Sequence, residues 1–192
     1  MKESVIVKMQ LTGQGLINDF GFFLMMSSCQ NIAISFDKKN LVGIIPMLSL
    51  IMCIIVFIMN TAYLIRYSPK ARIIANGVVH LAGYIIISLG CIYSFHLVII
   101  GAALFGFGSI FGEVCHFGYL KLFPSEFIGP FVSGTGISGL TGSLLYLFLH
   151  AKEVPDWLIF ICLFPLGIIY IVSFIIISKV SESRNHFNSD QN

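Results

Sequence analysis

The feature that most constrains this chain is its succession of long segments with one charged side chain or none. Residues 41–65 contain no charged residue in 25 positions, and residues 130–149 contain none in 20. A helix needs about 20 apolar residues to cross the roughly 30 Å hydrocarbon core of a bilayer. The segments that meet this length are 41–65, 73–95, 97–120, 130–149 and 157–178. The sequence therefore predicts an all-α, polytopic membrane protein.

Composition excludes the main soluble alternatives. Hydrophobic residues make up 57% of the 192 residues and charged residues only 10%, whereas an ordinary soluble domain has about 25% charged residues. A net charge of +2 is too small to indicate nucleic acid as a binding partner. The sequence contains no catalytic constellation typical of soluble enzymes, no nucleotide-binding loop and no zinc-ligand spacing. We therefore expect neither an enzyme nor a cofactor or metal.

A sixth, weaker segment precedes these five. Residues 20–36 carry no charge over 17 positions, but Gln30 and Asn31 are polar and Asp19 lies just before the segment. Such a helix either lines a polar pathway inside the bundle or lies at the membrane interface. We predict it as the first of about six spans. The predicted organisation is an N-terminal cytoplasmic segment at 1–19, a transmembrane domain at 20–178 and a polar cytoplasmic tail at 179–192.

Lysine and arginine set the predicted orientation. With six spans and a cytoplasmic N-terminus, eight of the eleven basic residues fall on the cytoplasmic side and three on the other side. Basic residues accumulate in cytoplasmic loops, so we expect both termini in the cytoplasm. The cytoplasmic set is Lys2, Lys8, Arg66, Lys70, Arg72, Lys121, Lys179 and Arg184, and the opposite set is Lys38, Lys39 and Lys152.

Glu113 is the acidic residue that lies well inside a predicted span. A charge near mid-bilayer costs at least about 2.5 kcal/mol on insertion scales, so such residues face a cavity or a partner. His116 follows three positions later and therefore projects from the same helical face. Two interpretations stay open. Glu113 and His116 form a proton relay or cation contact, or a protonated Glu113 bonds to a neighbouring helix.

Two glycine-rich segments mark the fourth and fifth spans. Gly108 and Gly112 form a GxxxG pattern, which favours close helix packing. The Ser-Gly-Thr-Gly sequence at 133–136 is either a packing surface or a helix break whose freed backbone groups face an anionic substrate. The candidate pathway residues are Glu113, His116, Gln30, Asn31, Ser133, Gly134, Thr135 and Gly136, and the candidate packing residues are Gly108, Gly112, Gly139 and Gly142.

Several short sequences follow one another in a specific order. They are Ile-Pro-Met at 45–47, Tyr-Ser-Pro-Lys-Ala-Arg at 67–72, Phe-Gly-Glu-Val at 111–114, Phe-Pro at 123–124 and Ser-Gly-Thr-Gly at 133–136. The first span adds Phe-Phe-Leu at 22–24 and Cys-Gln-Asn at 29–31. Together they resemble the N-terminal half of the battenin family, lysosomal and vacuolar membrane proteins linked to juvenile neuronal ceroid lipofuscinosis. The resemblance covers residues 20–178.

The resemblance implies a major-facilitator-like fold in a lysosomal or vacuolar membrane. It further implies transport of a small polar solute, such as an amino acid or a glycerophosphodiester, and a contribution to vacuolar pH homeostasis. Coupling of transport to protons is expected from Glu113 inside its span and not from the resemblance. Any family role falls first on Glu113 and on 133–136, where the family motifs match.

The chain departs from the family pattern in two ways. The family has about twice as many spans, so six would form one major-facilitator half, and a short Asp-Lys-Lys-Asn loop at 37–40 replaces a long lumenal loop.

Three functions stay open at this point. The leading hypothesis is a half-sized or truncated transporter in the lipid bilayer, paired with a second copy or another half-transporter and moving a small polar solute and protons. The second is a non-transporting subunit or scaffold that affects lysosomal trafficking or a proton pump. The third is an inactive fragment. Oligomeric state and co-purifying proteins distinguish them.

The six-span topology predicts that the tail and the 150–156 loop lie on opposite sides of the membrane. Single cysteines placed at Ser181 and Glu153, each in a cysteine-free background, should therefore react with an impermeant thiol reagent from opposite sides of sealed vesicles. Reaction of both from the same side would contradict this topology.

Overall fold

The computed structural model of the chain describes residues 2–121 and 123–189, with side chains described for 5–121 and 123–179. This part of the chain is helical and contains no strand, which confirms the all-α expectation. Single 3-10 turns separate some of the helices. The helices are α1 (Lys2–Ser35), α2 (Ile44–Ala62), α3 (Pro69–Tyr93), α4 (Phe95–Leu120), α5 (Ile128–Ala151), α6 (Asp156–Cys162) and α7 (Phe164–Ser189).

Among the described residues, five segments are long and apolar enough to span a bilayer, and they match the five strongest segments predicted from the sequence. They are Lys39–Ala62, Pro69–Tyr93, Phe95–Leu120, Ser125–Ala151 and Asp156–Lys179. Serine caps set two of the starts, since Ser68 accepts a hydrogen bond from the Ala71 amide and Ser94 accepts one from the His96 amide. Most of the large apolar side chains of α2 remain exposed, as lipid-facing residues do.

The first helix differs most from the prediction. Hydropathy predicts a span beginning at residue 20, whereas α1 begins at Lys2 and runs for 34 residues, about 51 Å at 1.5 Å per residue. Gln14, Asn18 and Asp19 lie in its middle and are at most 4% exposed. Other helices cover these side chains, so polar residues that lower hydropathy do not mark the end of the helix.

The last predicted span is also not a single helix. It is broken at Leu163 into α6 and α7, with Pro165 in the first turn of α7, where a missing amide hydrogen is tolerated. The second helix then continues to Ser189, into the predicted tail. No glycine or proline lies between 168 and 189 to stop it. Residues 190–192 of the predicted tail lie outside the described residues.

Contacts along the helices fix their directions. On α1 and α5, Thr12 lies against Gly134 and Phe20 lies against Gly142, so these helices run parallel. On α1 and α7, Gln14 bonds to Ser173 and Asn18 bonds to Tyr170, so these helices run antiparallel. The beginning of α1 and the end of α7 therefore lie at the same end of the bundle.

The helix pairings have an internal symmetry. α1 packs on α5, α4 packs on α2, α1 packs on α7 and α4 packs on α3. If α6 and α7 are counted as one helix, exchanging the first three helices with the last three converts each of these pairings into another in the same set. Repeats of three helices generate such an arrangement, as in one half of a major-facilitator protein.

The α1–α5 contact distinguishes two neighbouring glycines. A Cβ at Gly134 would collide with the Thr12 carbonyl oxygen and lie 2.8 Å from the Leu16 amide nitrogen, whereas a Cβ at Gly136 would meet no described atom within 4 Å. We expect Gly134→Leu to lower the free energy of unfolding by about 3 kcal/mol or more through overpacking. Gly136→Leu, the matched control, should leave thermal unfolding in detergent nearly unchanged. Equal losses in both variants would contradict this packing.

Candidate functional site

A cluster of polar side chains occupies the centre of the helix bundle, away from either end of α1. Four helices supply it, and most of its members are fully buried. From α1 come Gln14, Asn18 and Asp19, from α3 come Asn76 and His80, from α4 come Ser109 and Glu113, and from α7 come Tyr170 and Ser173. We refer to these residues as the central polar cluster.

Asn18 and Asn76 form the middle of this cluster. Asn76 Nδ2 lies 3.0 Å from Asn18 Oδ1, 3.1 Å from the Tyr170 hydroxyl and 3.2 Å from His80 Nε2. Asn18 Nδ2 donates to the Ser109 carbonyl oxygen at 2.8 Å. These bonds connect α1, α3, α4 and α7. Asn76 Oδ1 and His80 Nδ1 are buried without a hydrogen-bond partner in the described part of the chain.

The carboxyl group of Asp19 lies where α1 meets α4. Its Oδ1 accepts hydrogen bonds from Ser109 Oγ at 2.6 Å and from Asn18 Nδ2 at 2.9 Å. Glu113, half-buried one turn after Ser109, is joined to Asp19 by a further side-chain hydrogen bond. An ionised carboxylate can only accept hydrogen bonds. A bond between the two carboxyl groups therefore requires that one of them holds a proton.

Two glycines of α4 provide the space for this cluster. A Cβ at Gly112 would collide with Asn18 Oδ1 and Asn76 Nδ2, and a Cβ at Gly108 would lie 3.1 Å from the His80 ring. The GxxxG pattern was predicted as a helix-packing surface. It does face α3 and α1, but the groups that fill the space at Gly112 are amide side chains rather than a neighbouring backbone.

His116 does not pair with Glu113. Its ring stacks on Phe131 with centroids 4.5 Å apart, and its Nδ1 lies 2.8 Å from the Gly112 carbonyl oxygen. Because a carbonyl oxygen only accepts, Nδ1 carries a proton in this bond. No hydrogen bond joins His116 to Glu113 among the described side chains. Among the described side chains, the partner of Glu113 is Asp19 on the neighbouring helix α1.

Asn31 and Gln30 lie far along α1 from the central polar cluster. Asn31 Nδ2 donates to the Tyr146 hydroxyl at 3.0 Å, and that hydroxyl donates to Asp156 Oδ1 at 3.0 Å. The side chain of Gln30 is exposed. These two predicted pathway residues are therefore placed at the end of the bundle where α5 and α6 meet, apart from Glu113.

The Ser-Gly-Thr-Gly segment lies within a continuous α5, so the helix does not break there. Ser133 and Gly136 are exposed, and Thr135 Oγ1 donates to the Val132 carbonyl oxygen at 2.9 Å. Gly139 and Gly142 face α1, where Gly142 lies close to the Phe20 carbonyl oxygen. The segment thus packs on α1 through some positions and faces outward through others.

Sequence reasoning missed part of the cluster. The sequence motifs do not single out Asn18 or Asn76. A signal was present, because Arg72, Asn76 and His80 are spaced by four and lie along one face of α3. A polar stripe of this kind on an otherwise apolar helix indicates a surface turned toward other helices rather than toward lipid.

Comparison with known proteins agrees with this architecture. The family model described as "CLN3 protein" matches residues 10–192. The chain belongs to the CLN3 protein family. The battenin of Dictyostelium discoideum is 29% identical over 177 residues, which is 92% of this chain and 41% of that protein. The resemblance to the battenin family expected from the motifs is confirmed.

The chain spans about two fifths of the length of this curated relative and matches its N-terminal part. No solved structure matches the chain. Family membership and the membrane-spanning helices place this CLN3-family chain in a lipid bilayer as a multi-pass protein.

The central polar cluster predicts a difference between two glycine substitutions. Gly112→Ala places a methyl group against two buried amides, so it should lower the free energy of unfolding by about 1–3 kcal/mol. Gly139→Ala is the matched control because its Cβ would meet only the Phe23 ring, at 3.5 Å or more. It should be neutral or stabilising by up to about 1 kcal/mol. Thermal unfolding in detergent measures both, and a neutral Gly112→Ala would contradict the cluster.

Proposed function

We propose that this chain forms part of a lysosomal or vacuolar transporter that moves a small polar solute together with protons. The observation that carries the proposal is the hydrogen-bonded pair of carboxyl groups, Asp19 and Glu113, inside a bundle of membrane helices. Ionisable side chains within membranes are costly and mark ion or proton pathways. The proposed function involves binding and movement, without covalent catalysis.

The proposed proton step is exchange at this carboxyl pair. With one proton, the bond between Asp19 and Glu113 joins α1 to α4 while one negative charge stays in the bundle. A second proton removes that charge, and loss of the first one sets two carboxylates against each other. Each change alters the α1–α4 contact. Two further titratable groups interact electrostatically with the pair: Tyr170 on α7 with Asp19, and Cys53 on α2 with Glu113.

The proposed solute site adjoins this pair. Asn18, Asn76 and Tyr170 offer amide and hydroxyl groups, and the unpartnered Asn76 Oδ1 and His80 Nδ1 offer further hydrogen-bonding capacity. Such groups suit a small polar solute, for which an amino acid and a glycerophosphodiester are the two classes proposed. Solute binding would compete with the internal hydrogen bonds, and it would thereby loosen the contacts between the four helices.

We further propose that the working unit contains more than one copy of this bundle, or this bundle and another half-transporter. Rocking in a major-facilitator-like transporter requires two opposing halves, and the helices described here correspond to one of them. Side chains such as Leu140 and Leu144 on the outer face of α5 are exposed apolar groups that a second bundle or lipid would cover. Crosslinking in membranes followed by mass determination distinguishes a homodimer from a mixed complex. A scaffold subunit would co-purify with a different assembly and would support no flux.

The decisive experiment uses Glu113→Gln, which keeps size and hydrogen bonding but removes ionisation. The full chain is reconstituted in vesicles with an imposed pH gradient, and uptake of labelled lysine and of labelled glycerophosphocholine is measured. We expect the flux to depend on the pH gradient in the wild type and to lose most of this dependence in Glu113→Gln. Glu153→Gln, which alters an exposed carboxylate in the loop before α6, should behave as the wild type.

Two results would overturn the proposal. Full pH dependence of flux in Glu113→Gln would show that the carboxyl pair is structural. Absence of flux for both solutes in well-folded wild-type vesicles, with either one or two copies per unit, would favour the non-transporting subunit or the inactive fragment.

A further inference from the structure

Arg72 is a buried cation at the beginning of α3. Its side chain is 7% exposed, and one hydrogen bond is formed from Nη1 to Asn60 Oδ1 at 2.7 Å. Within the described part of the chain no carboxylate is paired with it, since the ion pair there joins Lys8 to Glu126. Removing a charge from water is costly unless an opposite charge or several hydrogen bonds compensate it. A single neutral amide leaves this guanidinium largely uncompensated.

The side of the guanidinium that lacks a hydrogen-bond partner has a defined shape. Nε is buried without a hydrogen-bond partner. Nη2, on the same side as the Nε–H bond, lies against Gly118 of α4, where a Cβ would be 3.6 Å away. Nε and Nη2 together form the edge through which arginine donates two parallel hydrogen bonds to a pair of oxygen atoms. Gly118 places no side chain against Nη2, whereas most other residues would place one beside it.

We infer that the Nε/Nη2 edge of Arg72 binds an oxyanion, a carboxylate or phosphate group, between α3 and α4 at the end of the bundle where α3 begins. Arg66 and Lys121 are exposed at this same end and raise the local concentration of anions. The bound group supplies the missing counter-charge and satisfies Nε. Its source is either a free solute or the headgroup of an anionic lipid.

This site is distinct from the carboxyl pair. Arg72 lies one turn before Asn76, about 6 Å along α3, and its edge faces Gly118 rather than Glu113. The inference does not require transport. If the chain binds the anion but moves no solute, this inference holds and the proposed function fails. If the chain transports a solute without binding an anion, the proposed function holds and this inference fails.

The test measures thermal unfolding of the purified full chain in neutral detergent, with inorganic phosphate or acetate added against chloride at equal ionic strength. The wild type should show a saturable rise in unfolding temperature with phosphate or acetate beyond that with chloride, because chloride cannot accept two parallel bonds. Arg72→Lys keeps the charge but lacks the edge, so the rise should be much smaller. Lys121→Gln, at the same end, should retain the rise and serves as the control.

A second variant protects the test against misfolding of Arg72 substitutions. Gly118→Asp places a carboxylate beside Nη2 and supplies the counter-charge within the chain. It should unfold at a higher temperature than the wild type without added anion and should show no further rise with phosphate. Gly118→Ala is its control and should still respond to phosphate. An equal response to phosphate in the wild type, Arg72→Lys and Gly118→Asp would overturn the inference.

Nanodiscs distinguish the two sources. A free oxyanion gives a phosphate response in discs of phosphatidylcholine alone, and added phosphatidylglycerol changes it little. A lipid headgroup gives stabilisation by phosphatidylglycerol that Gly118→Asp abolishes, and free phosphate adds nothing further in discs that contain this lipid. Either result supports the site. Stabilisation that is the same in the wild type and in Gly118→Asp under all of these conditions contradicts it.

Discussion

The hydrogen bonds made by the middle of α1 hold four helices in register. Lipid offers no partner for an amide or a carboxyl group, so such groups must be satisfied inside the protein. Asn18 meets this requirement through the Ser109 carbonyl oxygen on α4 and through Asn76 on α3, while Gln14 donates to the Tyr170 carbonyl oxygen on α7 at 2.8 Å. Sliding any of these helices by one turn would leave several buried polar groups unpaired, at about 1–3 kcal/mol each.

Glycine permits this arrangement in two different ways. Between α1 and α5, Gly15 and Gly134 allow backbones to approach so closely that a Cβ on either would collide with the facing chain. Between α3 and α4, Gly112 instead leaves room for polar side chains. Close approach of the backbones strengthens dispersion contacts between helices in lipid, which is as apolar as the helices themselves. Room for amide side chains permits a polar interior in a bundle whose outer surface is apolar. A glycine pattern by itself does not reveal which use applies.

Much of the fold followed from the sequence because five spans are nearly free of charge, and lipid tolerates few alternatives to a helix there. The beginning of α1 did not follow. Hydropathy treats Gln14 and Asp19 as evidence against burial, although neighbouring helices bury both. Glu113 was found because it is an isolated acid, but its partner was not, because spacing along α4 favours His116 while Asp19 approaches from another helix. Contacts between helices carry no periodic signal in a single sequence.

The carboxyl group of Glu113 and the guanidinium of Arg72 stay apart for a geometric reason. Glu113 faces α1, whereas Gly118, five residues later, faces Arg72 on α3. Five residues turn a helix by about 140° beyond a full revolution, so the carboxyl and guanidinium groups lie on different sides of α4 and cannot neutralise each other without rotating it. Each must therefore find its own partner. Asp19 is the partner of the first, and the oxyanion inferred beside Gly118 would be the partner of the second.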